Sequence, residues 1–206
     1  MDKFDFKREF KEVYSPPAKD FSLTEIPPFR YLAVDGKGDP GTAQEFSDAV
    51  SALYPLAYTL KMTGKKNGGP DFVVGPMSAT WRSKDKSAFV TGDRDNWEWT
   101  VMLPLPDWIT DEQIAEARES VAARKNPAAL SLVCAMTLNE GLCIQILYRG
   151  PYVDEAPVLA RMHNEFMPEH GLDFNGDHHE IYLSDPGRTA PEKLKTILRQ
   201  PVRRIS

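Results

Sequence analysis

The sequence predicts an α+β fold. Two tandem strand-helix-strand-strand modules form one antiparallel sheet, with helices on one face and a ligand groove on the other. Three observations predict it. One order of elements occurs twice: strand 29–34, helix 42–62 and strands 71–81 and 97–104, then strand 142–149, helix 154–170 and strands 178–184 and 199–205. Each half supplies one helix, which covers one face of its strands and leaves the other bare. The first strand of each half runs into a glycine, Gly36 or Gly150. Two such modules, about 28–105 and 138–206, paired edge to edge within a single domain of 1–206, would place a groove on their pseudo-twofold axis.

The bulk numbers narrow the class. A chain of 206 residues can bury a sizeable core. With 41% hydrophobic and 27% charged residues, its composition is that of a soluble globular protein. A net charge of −5 argues against direct binding of nucleic acid. No apolar run approaches the ~20 residues of a membrane span. The stretch Met1–Lys7 alternates charge with Phe, unlike a secretory signal. A cytoplasmic protein with no membrane association is expected. Cys134 and Cys143 fit no metal-ligand spacing and read as small buried apolar residues in a reducing compartment.

Residues 1–27 form a lead-in: a short strand or helical turn at 3–11, then prolines at 16, 17 and 27 that disfavour regular structure. Phe29–Val34 is a strand ended by the turn Asp35-Gly36-Lys37-Gly38-Asp39-Pro40-Gly41, whose glycine spacing is not that of a phosphate loop. Thr42-Ala43-Gln44-Glu45 reads as a capping box for a helix with the stripe Phe46, Ala49, Val50, Leu53 and Ala57. Pro55 predicts a kink or split. A loop follows over 64–70. Residues 71–81 form a strand broken at Gly75-Pro76, 83–95 a polar connection, and Trp97–Leu103 the partner strand. Trp97 and Trp99 share a face, and with Trp81 they form an aromatic cluster that is either core or the wall of a ligand site.

Thr110-Asp111-Glu112-Gln113 is a second capping box, its helix carrying Ile114, Ala117 and Val121 and stopping at Asn126-Pro127. Strands 130–137 and 141–150 are joined by a turn at Asn139-Glu140-Gly141. Asp154 can cap a helix with the stripe Val158, Leu159, Met162 and Phe166, ending at Gly171. Leu194, Ile197 and Leu198 predict a helical turn over 191–198, before a closing strand that Pro201 interrupts.

In the strand 178–184, Ile181 and Leu183 alternate with His178, Glu180, Tyr182 and Ser184. The apolar pair is expected beneath the helices. Glu180, Tyr182 and His178 are then expected on the other face, which is either solvated or the floor of the groove. A carboxylate desolvated among rings can neutralise a cationic ligand, orient a water or donate a proton. Tyr148 or Tyr182 can donate a hydrogen bond to a ligand oxygen. Adjacent His178 and His179 point to opposite faces, so no metal site is expected.

The segments Tyr58-Thr59-Leu60-Lys61-Met62, Pro76-Met77-Ser78-Ala79-Thr80-Trp81, Trp97-Glu98-Trp99, Gly150-Pro151-Tyr152 and His179 to Pro186, with the closing run 190–199 and Pro201-Val202, carry a resemblance. Over about 27–206 the chain resembles the GyrI-like small-molecule-binding family, whose fold also serves as the effector-binding domain of multidrug-responsive activators. The resemblance implies planar hydrophobic or cationic ligands and no cofactor. It implies Glu180 and Tyr148 as catalytic candidates and Trp81, Trp97, Trp99, Tyr152, Tyr182, Met77 and His178 as ligand-binding candidates. The chain is also similar to stand-alone cyclopropanoid cyclohydrolases, which open the strained ring of DNA-alkylating natural products; that implies detoxification. Ser78 stands where the family often has Glu, and Arg82 where it often has Trp. A drug-sequestering or ligand-sensing protein, or a gyrase-interacting regulator, stays open. A transcription regulator is disfavoured, because no helix-turn-helix precedes Phe29.

Overall fold

The structure is a computed structural model that describes residues 3–82 and 97–205. The expected connection over 83–95 lies outside the described residues. The elements run α1 (Phe6–Glu9), α2 (Lys11–Tyr14), β1 (Ser22–Ile26), β2 (Phe29–Lys37), α3 (Gln44–Lys66), β3 (Ser78–Arg82), β4 (Glu98–Leu105) and α4 (Asp111–Arg124). They continue with β5 (Cys134–Leu138), β6 (Gly141–Arg149), α5 (Ala156–Arg161), a π-helical stretch (Met162–Phe166), α6 (Met167–Glu169), β7 (Leu172–Phe174), β8 (His178–Tyr182) and β9 (Lys195–Arg204).

The strand order is β1-β6-β9-β8-β3-β4-β2-β5, with β7 added to β9. Every pairing is antiparallel. From the β8–β3 junction outward, one side reads β3, β4, β2 and the other β8, β9, β6. These are the same three strands of the two predicted modules, in the same order about a pseudo-twofold axis.

The sheet is strongly curled. Only Pro27 and Pro28 join β1 to β2, so Ile26 and Phe29 lie within three Cα steps, at most ~11 Å. In a flat sheet the six intervening steps would separate those strands by ~29 Å. The two-residue link from β5 to β6 makes the same demand.

Both faces are covered. On one, α3 packs Ala49, Leu53, Leu56 and Leu60 against Leu32, Val34, Trp81, Trp99 and Val101, with α4 alongside. The stretch around Met162 covers Ile144, Ile146 and Leu198 on the same side. The other, concave face holds Tyr31, Ala33, Met102, Ile181 and Ile197, closed by Phe6, Val13 and Tyr14 of the lead-in. The bare face expected opposite the helices is therefore filled by the chain's own first turns.

A polar network lies under that plug. Glu140, in the β5–β6 link, accepts from His179 Nδ1 at 2.9 Å and from Arg199 Nη1 at 2.6 Å. Arg199 also donates to Gln145 Oε1 at 2.9 Å. Burial alone would raise the Glu140 pKa, but His179 and Arg199 outweigh it and hold the group at about 2.

Several local expectations shift. Helix α3 starts after Ala43 with no side-chain cap, so Thr42–Glu45 forms no capping box, and the helix runs unbroken through Pro55. The turn at Asp39 satisfies the amides of Thr42 and Ala43 instead. The capping box at Thr110–Gln113 is present, and Asn126 ends α4 with φ 39. Asp154 lies in a 3-10 turn and caps no helix. The helical turn expected over 191–198 is a 3-10 turn at Pro191–Lys193 followed directly by β9. Cys134 is exposed and Cys143 buried; both are free.

Candidate functional site

Strand β8 organises the site through its register with β3. His178 lies opposite Trp81, and Glu180 opposite Ala79. Residues directly opposite share a face, so His178, Glu180 and Tyr182 lie on the side of α3, with the tryptophans. Ile181 lies on the concave side with Tyr31 and Ile197. The expected assignment of faces is therefore reversed. Alternation fixes which side chains travel together, but both faces of this sheet are covered, so the apolar residues do not mark the helix side.

The reversal still brings the expected partners together. Trp81 meets Trp97 edge to face at 5.4 Å, and Phe46 of α3 stacks over Trp81 at 6.3 Å. Phe46 also meets Trp99 at 5.0 Å. Trp99 is fully buried and lies over Gly36, where a Cβ would come within 2.2 Å of the indole. Trp99 is thus core, not ligand wall. Trp81 is 3% exposed and Trp97 half-buried. Met77 packs against the core on the α3 side, and its carbonyl accepts from the Tyr182 amide at 2.9 Å.

Glu180 sits at the edge of the aromatic layer with its side chain 13% exposed. Tyr182 donates its phenolic hydrogen to Glu180 Oε2 at 2.8 Å. His178 Nε2 lies 3.6 Å from Oε1, beyond hydrogen-bonding distance. Tyr152, from the 3-10 turn after β6, meets the Tyr182 ring at 5.6 Å. Burial, then the charges of Glu155, Glu180 and Asp185, push the Tyr152 phenol up to about 12. Asp185 acts also on Tyr54 of α3, whose pKa is raised first by burial. A second imidazole, His163 on the π-helical stretch, lies 6.4 Å from His178. Burial and His178 lower its pKa to about 4, so it is neutral at pH 7.

Tyr148 is not part of this arrangement. It lies on β6, two strands from Glu180, and its hydroxyl donates to Pro151 O at 3.0 Å. Phe46 reads in the sequence as one more position on an amphipathic helix, so no local signal marks it as part of the aromatic layer. Among the described residues no cluster of His, Cys, Asp and Glu is placed to hold a metal ion, and no helix is long and apolar enough to cross a membrane.

The comparisons with known proteins agree with this architecture. A family model described as the GyrI-like small molecule binding domain matches residues 19–203. An uncharacterised conserved protein of Listeria innocua is 41% identical, with 98% of this chain and 100% of that one covered and a TM-score of 0.89. A hydrolase from Listeria innocua is 40% identical over the same shares, with a TM-score of 0.85. The EcmrR C-terminal domain, 12% identical over 90% of this chain and 98% of its own, shares the fold with a TM-score of 0.58. A comparison with curated proteins finds no match. The matched family model spans both modules, the Trp cluster and the Glu180 strand: the chain belongs to the GyrI-like small-molecule-binding family.

Proposed function

We propose that the protein binds planar hydrophobic or cationic small molecules beside Glu180, in a detoxifying role. One observation carries this reading. Glu180 is mostly withdrawn from water and receives one hydrogen bond, from a phenol, yet no Lys or Arg pairs with it among the described residues. A carboxylate in that position favours a cation, and the rings of Tyr152 and Tyr182 add the attraction of their faces. Titration with ethidium, a planar cation, tests it. Ethidium should quench Trp81 and Trp97 emission, and Glu180→Gln should weaken its binding about tenfold or more while sparing a neutral planar compound. Equal affinity in both proteins would overturn the proposal.

A hydrolytic reading is supported by the 40%-identical relative described as a hydrolase and by His178 and Glu180 standing side by side. In it Glu180 would hold the water that adds to the strained carbon of a cyclopropane-containing alkylating agent. Mass spectrometry should then detect the adduct of one water, and Glu180→Gln should cut turnover by about 10²–10⁴-fold. An unchanged alkylator after long incubation would leave binding alone.

A further inference from the structure

Apart from Glu180, a groove of about 500 Å³ lies between α3 and α4. That volume suits a compound of drug size. Its α3 wall is the stripe Tyr54, Tyr58 and Met62, spaced four residues apart on one helix face. Tyr54 and Tyr58 stack at 6.4 Å with 25° between their planes. Tyr58 is 51% and Met62 59% exposed, unusual for large apolar surface on two neighbouring turns.

The opposite wall is cationic. Arg124 and Lys125 line it, and no lining residue is acidic. Arg124 is held in place rather than free to wander. Its Nε donates to Ser120 O at 3.0 Å, and its Nη2 donates to Thr59 Oγ1 at 3.0 Å and to Ser120 Oγ at 3.1 Å. All three acceptors are neutral. Among the described residues no carboxylate pairs with Arg124. A guanidinium held by neutral acceptors beside stacked rings, with no carboxylate paired to it among the described residues, is placed to receive an anion.

We propose that this groove is a second binding site, for a planar aromatic carboxylate or sulfonate. The ring system lies along Tyr54, Tyr58 and Met62, and the anionic group meets Arg124, with Lys125 adding charge. The site is opposite in sign to the one at Glu180 and is independent of it. An aromatic ring gains contact area and stacking from the α3 stripe, whereas the anion supplies the counter-charge that no described residue gives Arg124.

Isothermal titration with 2-naphthoate and its neutral analogue 2-naphthamide tests the assignment. The wild-type protein should bind 2-naphthoate more tightly than 2-naphthamide. Arg124→Gln should weaken 2-naphthoate about tenfold or more and leave 2-naphthamide unchanged. Tyr58→Ala should weaken both. Both side chains are exposed, so circular dichroism should show native folding in each variant. Absence of 2-naphthoate binding at millimolar concentration, equal affinity in Arg124→Gln, or insensitivity to Tyr58→Ala would each overturn the proposal.

Discussion

Tyr182 and Glu180 lie two residues apart on one face of β8, and the phenol donates to the carboxylate at 2.8 Å. Among the described residues no Lys or Arg pairs with this carboxylate at the edge of the aromatic layer. The phenol supplies part of the stabilisation that water would otherwise give.

Tyr182→Phe should therefore lower stability by about 1.5–3 kcal/mol, the range for hydrogen bonds to charged groups. The ring and the carboxylate remain, so ethidium should still bind. Urea denaturation with and without ethidium checks both statements. Unchanged stability would mean that Glu180 finds its partner in solvent.

Alkaline pH should unfold the protein rather than ionise it first. Burial and the Glu180 charge push the Tyr182 phenol well above its ordinary value, and burial does the same for Tyr31 and Tyr14. The unfolded chain releases these protons near pH ~10, whereas the folded chain keeps them. Their contribution is complete below that pH and is lost as pH rises above it. Phenolate absorbance should show these three tyrosines titrating only together with loss of the near-ultraviolet circular dichroism.

Acid should act through Glu140. Its pKa of about 2 lies below the ~4.3 of an unfolded Glu, so its contribution is present above pH ~4.3 and lost as pH falls towards 2. His179, kept neutral chiefly by burial, adds a loss that begins below the unfolded histidine value of ~6.5. Glu140→Gln should cost about 3–5 kcal/mol at neutral pH, because it leaves Arg199 buried without its counter-charge. The urea midpoint from pH 7 to pH 3 should fall for the wild type and start lower, with a shallower slope, in the variant.

Gly36→Ala should displace the Trp99 indole, whose atoms occupy the position of the new methyl group. Overpacking of this kind costs about 1–3 kcal/mol. A lower melting temperature together with a shift in tryptophan emission would report it; a wild-type melt would show that the strand gives way instead.

Phe6→Ala should cost about 3–5 kcal/mol although it lies outside both modules. Phe6 is 2% exposed and packs edge to face on Phe4 at 4.9 Å and Phe29 at 6.0 Å, closing the concave face. Urea denaturation measures the loss. A cost below ~1 kcal/mol would mean that the plug is dispensable.

The sequence by itself determined the tandem order of elements, the second capping box at Thr110, and the grouping of His178, Glu180 and Tyr182 on one strand face. These follow from local periodicity and from side chains that satisfy nearby amides, both contained in a few consecutive residues. Only the tertiary structure decided which side that face takes. The ambiguity is physical, because residues 4–14 cover the concave face and α3 the other, leaving buried apolar side chains on both. Tertiary structure also decided that Trp99 is core, since the space it fills is made by Gly36 on another strand. The partnership of Glu140 with Arg199 lies furthest from the sequence. The two stand 59 positions apart, and Glu140 reads as an ordinary turn residue. An arginine amid the apolar run of β9 was the one signal that a buried counter-charge had to exist, and no local pattern could say where. The curl of the sheet carries the β5–β6 link across the concave face and so sets the carboxylate against the guanidinium.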